Sequence, residues 1–254
     1  MAEIIGRRPL SKKDDLKRLL ESTRRYYELF SDEYVEFYEN WRSGLGAFSN
    51  SEYRRGYDRV AEILKEIVRY NQLILDLGCG VGTWSILMAE AGANVIGIDY
   101  SREALLKYKE YSKKSGVEHK VSEVLSDGFY LPFMGETYDG LTLNWVLAHI
   151  PHNYSGSFLL EVARVLKTGG WVMVSDSYWR GQEGGREQVQ TRRSRMGTFH
   201  VYKYYYTPEE LESLLKNTLG EVLQTETTPY EMLCIARKNN QELSKLFRLS
   251  FIWV

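Results

Sequence analysis

Short apolar runs alternate with stretches of helical periodicity along most of the chain, and this alternation predicts parallel strands connected by helices. The first apolar run covers residues 73–77, and alternating glycines at positions 78, 80 and 82 separate it from a helical pattern over 83–91. Further strands are predicted at 95–99, 138–144 and 171–176, and further helices at 103–114 and 159–166. This order is typical of an α/β protein.

Two segments outside this alternation, one near residue 11 and one near residue 207, carry signals for helix starts. Ser11 with Asp14 and Asp15 predicts one start, because a hydroxyl can accept from a free N–H and acids suit the positive end of a helix. Thr207 followed by Pro208 and Glu210 predicts a second start with a capping box. Two final strands are predicted at about 220–227 and 231–237.

The glycine loop after the first strand could bind either a pyrophosphate or a cationic ligand. A dinucleotide fingerprint requires glycine three residues after Gly80, and Thr83 stands there instead. Asp76, two residues before the first glycine, would repel a pyrophosphate and attract a cation. The pattern therefore favours a positively charged ligand, and NAD or a nucleotide sugar is the less favoured alternative.

The sequence from Asp76 to Gly82, Asp-x-Gly-x-Gly-x-Gly, resembles the first motif of the class I S-adenosylmethionine-dependent methyltransferases, in particular their UbiE-like group. Four later segments, around Asp99, Asp127, Asn144 and residues 159–176, follow in the order of that family. The resemblance implies a Rossmann-like three-layer αβα sandwich, with a seven-stranded, mostly parallel sheet and an antiparallel last strand. It also implies S-adenosylmethionine as the cofactor.

The resemblance assigns cofactor contacts to individual residues. It places Asp76 near the ammonium group, Asp99 on the ribose hydroxyls beside Tyr100, and Arg54 on the cofactor carboxylate, although an exposed helix arginine explains Arg54 equally well. The remaining cofactor contacts that it implies are the loop residues Gly78, Cys79 and Gly80, the adenine contacts Asp127 and Gly128, and the pocket-wall residues Asn144 and Trp145. Cys79 is interpreted as a small residue beside the ligand, because no base is patterned around it.

Methyl transfer from a sulfonium requires alignment of the reacting groups rather than a particular catalytic residue. Where the acceptor must lose a proton, His149 is the candidate base after the fourth strand. A histidine at this position that only packs structurally is the alternative. No pair of Cys or His residues stands at metal-ligand spacing, so no metal site is expected.

The acceptor is predicted to be a small or amphipathic molecule. The formal net charge of −1 gives no general attraction to nucleic acid, but residues 7–25 are basic and 178–206 are rich in arginine. The stretch 7–25 could contact phosphate or RNA, or form a solvated helical face. The stretch 178–206 could recognise an anionic acceptor, or form a solvated lid helix. The aromatic residues of 26–41 predict either a lid over the cofactor or a hydrophobic stripe. A tRNA or protein acceptor, and a non-catalytic S-adenosylmethionine-binding protein, stay open as alternatives.

Three parts of the chain are predicted. Residues 1–70 form a helical extension or lid, 71–238 form the methyltransferase domain with an acceptor-side insertion at 178–206, and 239–254 form a helical tail. The apolar tail is expected to dock on the domain or on a second subunit, which would give a homodimer. The first residues lack the apolar core of a signal peptide and no apolar run is long enough to span a membrane, so a cytoplasmic location is expected.

Overall fold

The computed structural model describes residues 3–44, 52–194 and 196–239. Its strands are β1 (Glu3–Pro9), β2 (Leu73–Leu77), β3 (Asn94–Asp99), β4 (Val121–Leu125), β5 (Tyr138–Asn144), β6 (Leu166–Ser177), β7 (Glu187–Ser194), β8 (Gly197–Tyr204), β9 (Gly220–Thr227) and β10 (Glu231–Lys238). Its helices are α1 (Leu16–Leu29), α2 (Ser31–Ser43), α3 (Glu52–Ile67), α4 (Thr83–Glu90), α5 (Arg102–Lys114), α6 (Ser155–Val165) and α7 (Pro208–Leu219).

Seven of these strands form the central sheet, in the order β4-β3-β2-β5-β6-β10-β9. Strands β2 to β6 are parallel to one another, whereas β10 is antiparallel to both β6 and β9. The predicted fold class is therefore confirmed, and the antiparallel strand, β10, lies between β6 and the edge strand β9.

Helices cover both faces of this sheet because its central strands are apolar on both sides. Along β2, Leu75 and Leu77 belong to a core shared with α6 and α7, whereas Ile74 belongs to a core shared with α3, α4 and α5. Successive side chains of a strand point to opposite faces. The result is the three-layer arrangement, with a separate hydrophobic core on each side of the sheet.

A second sheet of three antiparallel strands, in the order β1-β7-β8, lies outside this frame. The predicted helical extension therefore begins with a strand, and the lid helix that was the alternative for 178–206 is not found among the described residues, because a β-hairpin stands there. β-branched and aromatic side chains such as Val189, Phe199 and Val201 favour the extended conformation here.

Helix α1 covers the outer edge of this small sheet. The backbone N–H groups of His200 and Tyr202 in β8 donate to the hydroxyls of Ser22 and Thr23 in α1, at 3.0 and 2.9 Å. An uncovered edge strand would leave these N–H groups available to another chain. The contact also fixes α1 against the hairpin that β7 and β8 form.

The predicted start of α1 is displaced by four residues. Asp15, rather than Ser11, caps the helix by accepting from the N–H of Arg18 at 3.2 Å, while Ser11 hydrogen bonds to Asp14 in the preceding turn. At Thr207 the predicted capping box with Glu210 is present. The predicted tail at 239–254 lies outside the described residues from position 240 onward. Within the described ranges, no helix has the length and apolar character needed to cross a membrane.

Candidate functional site

A cavity of about 750 Å3 opens where the parallel strands end. Its walls include the residues that directly follow β2, β3, β4 and β5 and the last residue of β6, which all lie at the carboxyl edge of the sheet. The segments α1 and α2 and the hairpin of β7 and β8 supply the remaining walls. Open α/β sheets bind their ligands at this edge, and the volume is within the usual range for small-molecule sites.

The glycine loop after β2 is a tight turn tied to the neighbouring strand. Gly78, Gly80 and Gly82 have positive φ angles of 74°, 53° and 84°. A Cβ on Gly78 would collide with Val146, and one on Gly82 with the Tyr108 ring, whereas Gly80 has no atom within 4 Å of its missing Cβ. At Gly78 and Gly82 a larger residue would collide with a neighbouring side chain. At Gly80 the missing side chain leaves free space beside the backbone, where a ligand can approach.

The amide groups of this loop are already in use. The N–H groups of Gly78 and Cys79 both donate to the carbonyl oxygen of Ile98, at 2.8 and 2.9 Å, and that of Gly80 donates to Asp99 at 2.9 Å. A pyrophosphate site needs such N–H groups free and pointing at the anion. The geometry therefore agrees with the sequence argument against a dinucleotide.

Asp99 lies at the end of β3 and lines the cavity. Its carboxylate accepts from the N–H of Ser101 at 2.8 Å as well as from Gly80, which fixes its orientation. Burial raises its pKa, although these backbone donors oppose the shift. A carboxylate can accept more hydrogen bonds than the two it receives here, so it can also accept from ligand hydroxyls. The next residue, Tyr100, lines the cavity too, and the Arg24 guanidinium lies over its ring at 5.0 Å.

The predicted adenine contacts lie after β4. Asp127 accepts from the N–H of Phe129 at 2.9 Å, and both Asp127 and Gly128 line the cavity. A Cβ on Gly128 would come within 2.8 Å of the Phe158 ring. This close packing holds the segment against α6.

Asp76 does not line the cavity, which corrects the predicted contact with an ammonium group. It is 1% exposed, and its two carboxylate oxygens accept from the hydroxyls of Ser85 and Thr142, at 2.6 and 2.7 Å. Burial raises its pKa to about 6, against these two hydrogen bonds. Asp76 therefore connects β2 to α4 and β5 from below the loop.

Arg54 is also absent from the cavity wall, so the structure does not support its predicted contact with the cofactor. It lies in α3, where its Nε is 3.2 Å from the Asp58 carboxylate one turn away. The intrahelical ion pair provides a local partner for the guanidinium. The side chain is only 25% exposed and its Nη1 is buried without a partner among the described residues, so the exposed-helix alternative does not describe Arg54 either.

Asn144 ends β5, Trp145 directly follows it, and both line the cavity, as predicted for the pocket wall. Trp145 has a φ of 57°, which is rare for a bulky residue, and its indole stacks on Tyr57 with ring centroids 4.5 Å apart and 16° between planes. Asn144 accepts from Ser175 at 2.7 Å, but its Nδ2 is buried without a partner among the described residues. The Thr83 hydroxyl, which also lines the cavity, is likewise buried without a hydrogen-bond partner among the described residues.

His149 lines the cavity, but both of its ring nitrogens are engaged. Nδ1 lies 2.8 Å from the Tyr202 carbonyl oxygen, and Nε2 lies 2.7 Å from the Tyr27 hydroxyl. A carbonyl can only accept, so Nδ1 carries the proton and Tyr27 donates to Nε2. Burial, with the charges of Lys203 and Arg192, lowers the pKa of His149 well below its ordinary value. These contacts favour a neutral histidine that orients Tyr27.

Sequence reasoning missed Glu231, the first residue of β10. It pairs in register with Ser177 at the end of β6, lines the cavity, and is 5% exposed. The Thr228 hydroxyl donates to it at 3.0 Å, and burial raises its pKa to about 7. A Cβ on Gly56 of α3 would collide with its carboxylate. The sequence did contain a signal for this residue: an acid at the start of the strand predicted to be antiparallel. Because that strand runs in the opposite direction, its first residue lies at the carboxyl edge of the parallel strands, beside the cavity.

The hairpin end of the cavity is cationic. Arg192 of β7 and Lys203 of β8 both line it. The Lys203 ammonium lies 2.9 Å from the Asp176 carboxylate in an ion pair whose side chains are 6% and 1% exposed. From the basic N-terminal stretch, Arg7, Lys17 and Arg24 reach the wall, whereas Arg8 and Arg18 pair with Asp14 and Asp15 on the surface.

Comparisons with known proteins agree with this arrangement. A family model described as a methyltransferase domain matches residues 74–170. The chain is 28% identical over 172 residues to the methyltransferase GfsG of Streptomyces halstedii, and the match covers 61% of each protein. It is 32% identical over 162 residues to the ubiquinone biosynthesis O-methyltransferase of Burkholderia orbicola, covering 61% of this chain and 67% of that enzyme.

Solved structures match over a longer part of the chain. A complex of DhpI with SAH superposes with a TM-score of 0.68 at 20% identity, covering 88% of this chain and 98% of that one. The 1,6-didemethyltoxoflavin-N1-methyltransferase of Burkholderia thailandensis, with bound S-adenosylhomocysteine, gives a TM-score of 0.60 at 16% identity and covers 94% and 95%. At these identities the structural matches establish the fold.

Proposed function

Because this chain belongs to the S-adenosylmethionine-dependent methyltransferases, we propose that it transfers a methyl group from S-adenosylmethionine to a small acceptor molecule. The observation that carries the proposal is the continuous cavity, which reaches from the glycine loop and Asp99 to the hairpin of β7 and β8. Donor and acceptor could therefore meet inside one space. The relatives whose names include ubiquinone biosynthesis and a sterol methyltransferase support a small acceptor.

Several features of the wall fit the cofactor. The Nδ2 of Asn144 and the Thr83 hydroxyl are buried and have no partner in the described part of the chain, and Asp99 offers acceptor capacity for hydroxyls. A buried polar group without a partner is costly, so a polar ligand at these atoms would remove the cost. The residues that would hold the cofactor are Gly78, Cys79, Gly80, Asp99, Tyr100, Asp127, Gly128, Asn144 and Trp145.

The chain's contribution to the chemistry is mainly positioning. Bound S-adenosylmethionine supplies a methyl group already activated by its sulfonium charge. The stacked rings of Tyr57, Trp84 and Trp145 give a rigid aromatic wall next to the glycine loop, with centroid separations of 4.5 to 5.9 Å. Holding two reactants in a near-attack geometry can supply several kcal/mol of the barrier, about 7 or more in the best cases.

We propose Glu231 as the group that removes a proton from the acceptor. A general base works best when its pKa lies near the working pH, and burial brings the pKa of Glu231 to about 7. His149 is less suited, because its Nε2 already accepts from Tyr27 and its low pKa disfavours the charged form. In this proposal His149 positions Tyr27, and Glu231 receives the proton as the acceptor oxygen or nitrogen attacks the methyl group.

The sequence-based division into 1–70, 71–238 and 239–254 remains our proposal for domain organisation, with the insertion at 178–206 as the acceptor-recognition segment. Its support is that β7 and β8 contribute cavity residues. The cytoplasmic location and the homodimer remain predictions from the sequence alone.

Two measurements test the function. Calorimetry with S-adenosylhomocysteine should show binding, with NAD as the negative control. Transfer of labelled methyl groups should then be measured with fractionated RNA, protein and small-molecule pools, and the label is expected in the small-molecule pool. Label in tRNA, with salt-sensitive binding, would establish the RNA alternative. Cofactor binding without transfer to any pool would establish the non-catalytic alternative.

A further inference from the structure

Arg192 of β7 is held at the cavity wall by several neutral side chains. Its Nε and Nη2 donate to the Gln190 side-chain oxygen at 3.2 and 2.8 Å, and its Nη1 donates to the Tyr27 hydroxyl at 3.4 Å. The guanidinium also lies over the Tyr26 ring, 4.8 Å from its centroid, and interacts with the Tyr26 hydroxyl. Every one of these partners is neutral.

No carboxylate of the described residues forms an ion pair with Arg192. By contrast, Lys203 on the neighbouring strand pairs with Asp176, and Arg186 at the other end of the hairpin pairs with Glu210. Arg192 is only partly exposed and lines the cavity. A charge held away from water without an opposite charge is costly, and here an anionic ligand in the cavity would offset that cost.

The hydrogen bonds of Arg192 leave it able to hold such a ligand. A guanidinium has five N–H groups, and Gln190 and Tyr27 take three of them. The remaining N–H groups are on the two terminal nitrogens, which is the fork that binds a carboxylate or phosphate through two parallel hydrogen bonds. Gln190 is itself fixed, because its amide donates to the Tyr205 hydroxyl at 2.9 Å.

We propose that Arg192 is the anchor of an anion subsite at the hairpin end of the cavity, and that the methyl acceptor carries a carboxylate, phosphate or phosphonate group bound there. Lys203 lines the same wall, but its charge is already paired with Asp176. The proposal rests on the proposed function as far as the acceptor is concerned. The anion subsite itself can be tested without any methyl transfer.

The test uses three probes that share a phenyl ring. Benzoate and phenylphosphonate carry the two kinds of anion, and benzamide is the neutral counterpart of benzoate. Each is titrated calorimetrically into the protein, with and without saturating S-adenosylhomocysteine. We expect at least one anionic probe to bind tenfold or more tightly than benzamide. The ratio of benzoate to phenylphosphonate affinity identifies the kind of anion. Equal affinities for all three probes would overturn the proposal.

Substitution separates charge recognition from structural packing. Arg192→Met should weaken the preferred anion at least tenfold and leave benzamide unchanged, and Arg192→Lys should restore part of the affinity. Arg193→Met is the matched control, because Arg193 is the next residue of β7, is exposed and does not line the cavity. If Arg192→Met weakens benzamide and the anions equally, the residue only packs, and the proposal fails.

The cofactor titration keeps the two proposals distinguishable. If the unsubstituted protein does not bind S-adenosylhomocysteine, the proposed function is contradicted. The probe titrations without cofactor would still report on the anion subsite. Conversely, normal cofactor binding with no anion preference would contradict the subsite alone.

Discussion

The two ends of the cavity are built in different ways. At the cofactor end, the main chain forms the wall: three glycines with positive φ angles turn the loop, and its amides are tied to Ile98 and Asp99. At the hairpin end, long side chains form the wall. They make a hydrogen-bonded chain that runs from Arg7 through Tyr205, Gln190, Arg192 and Tyr27 to His149.

The family model matches residues 74–170, which hold the main-chain wall, whereas β7 and β8 lie outside the matched range. A wall made of main chain has one shape for any sequence that supplies the glycines and the acid. A wall made of side chains can change its charge and shape by single substitutions on β7 and β8, with the central sheet unchanged. We expect substitutions to reveal the same division, from the largest effect to the smallest.

The largest effect is expected where the main chain allows no side chain. Gly82→Ala would place a methyl group against the Tyr108 ring at a φ of 84°. Overpacking and left-handed strain together should lower the free energy of unfolding by about 3 kcal/mol. Gly116→Ala is the control, because its φ is 71° but no atom lies within 4 Å, and about 1 kcal/mol is expected. Equal losses in urea denaturation would show that packing at the loop is unimportant.

The next effect tests the cofactor end directly. Asp99→Ala should weaken S-adenosylhomocysteine binding about 100-fold, or roughly 2.7 kcal/mol, because two hydrogen bonds to a charged group are lost. Calorimetry measures the affinity, and thermal unfolding checks that the variant folds. Glu118→Ala, an exposed acid, should bind normally. Unchanged affinity in Asp99→Ala would contradict the ribose assignment.

The central sheet could be predicted from the sequence because its signals are local. The apolar runs of β2, β3 and β5 and the glycine spacing occupy short windows, and each specifies its own element. The small sheet could not be assembled in the same way, because the residues of β1 pair with residues of β7 that are 179 to 190 positions later, Ile4 lying opposite Arg192. A strand pairing of that separation leaves no trace in either segment alone.

The errors at individual residues have the same origin. Asp76 was assigned to the ligand because it precedes the glycines, but its hydroxyl partners Ser85 and Thr142 come from a helix and a strand brought together only by folding. Arg54 has a local partner, Asp58, which the i to i+4 spacing does display. Glu231 required knowing which end of the antiparallel strand meets the cavity.

A third effect links stability to function at Glu231. Its folded pKa of about 7 lies above the ordinary value of 4.5, so the folded state prefers the protonated form. Stability should therefore fall as pH rises from about 4.5 through 7. Glu231→Gln removes this loss and should stabilise the protein by on the order of 2 kcal/mol at pH 8, with no gain at pH 4.

The charges of Arg180, Lys203 and Asp176 act on Glu231 as well, so the variant should be compared with Glu118→Gln, which has an exposed carboxyl. Thermal unfolding between pH 4 and 8 measures the difference. The same Glu231→Gln variant should lose methyl transfer about 100-fold if Glu231 is the base. A variant with neither the stability gain nor the activity loss would show that the Glu231 carboxyl has no raised pKa and is not the base.

The smallest effect is expected within the side-chain wall, at Tyr27. Tyr27→Phe removes the hydroxyl that donates to His149 and accepts from Arg192, which leaves a buried ring nitrogen without a donor. We expect a loss of about 1 kcal/mol in unfolding free energy, together with weaker binding of the anionic probes, and no change in affinity for S-adenosylhomocysteine. Tyr130→Phe, at an 83% exposed position, is the control. If Tyr27→Phe weakened cofactor binding tenfold, the side-chain wall would be coupled to the main-chain wall, and the two ends of the cavity could not be treated as independent.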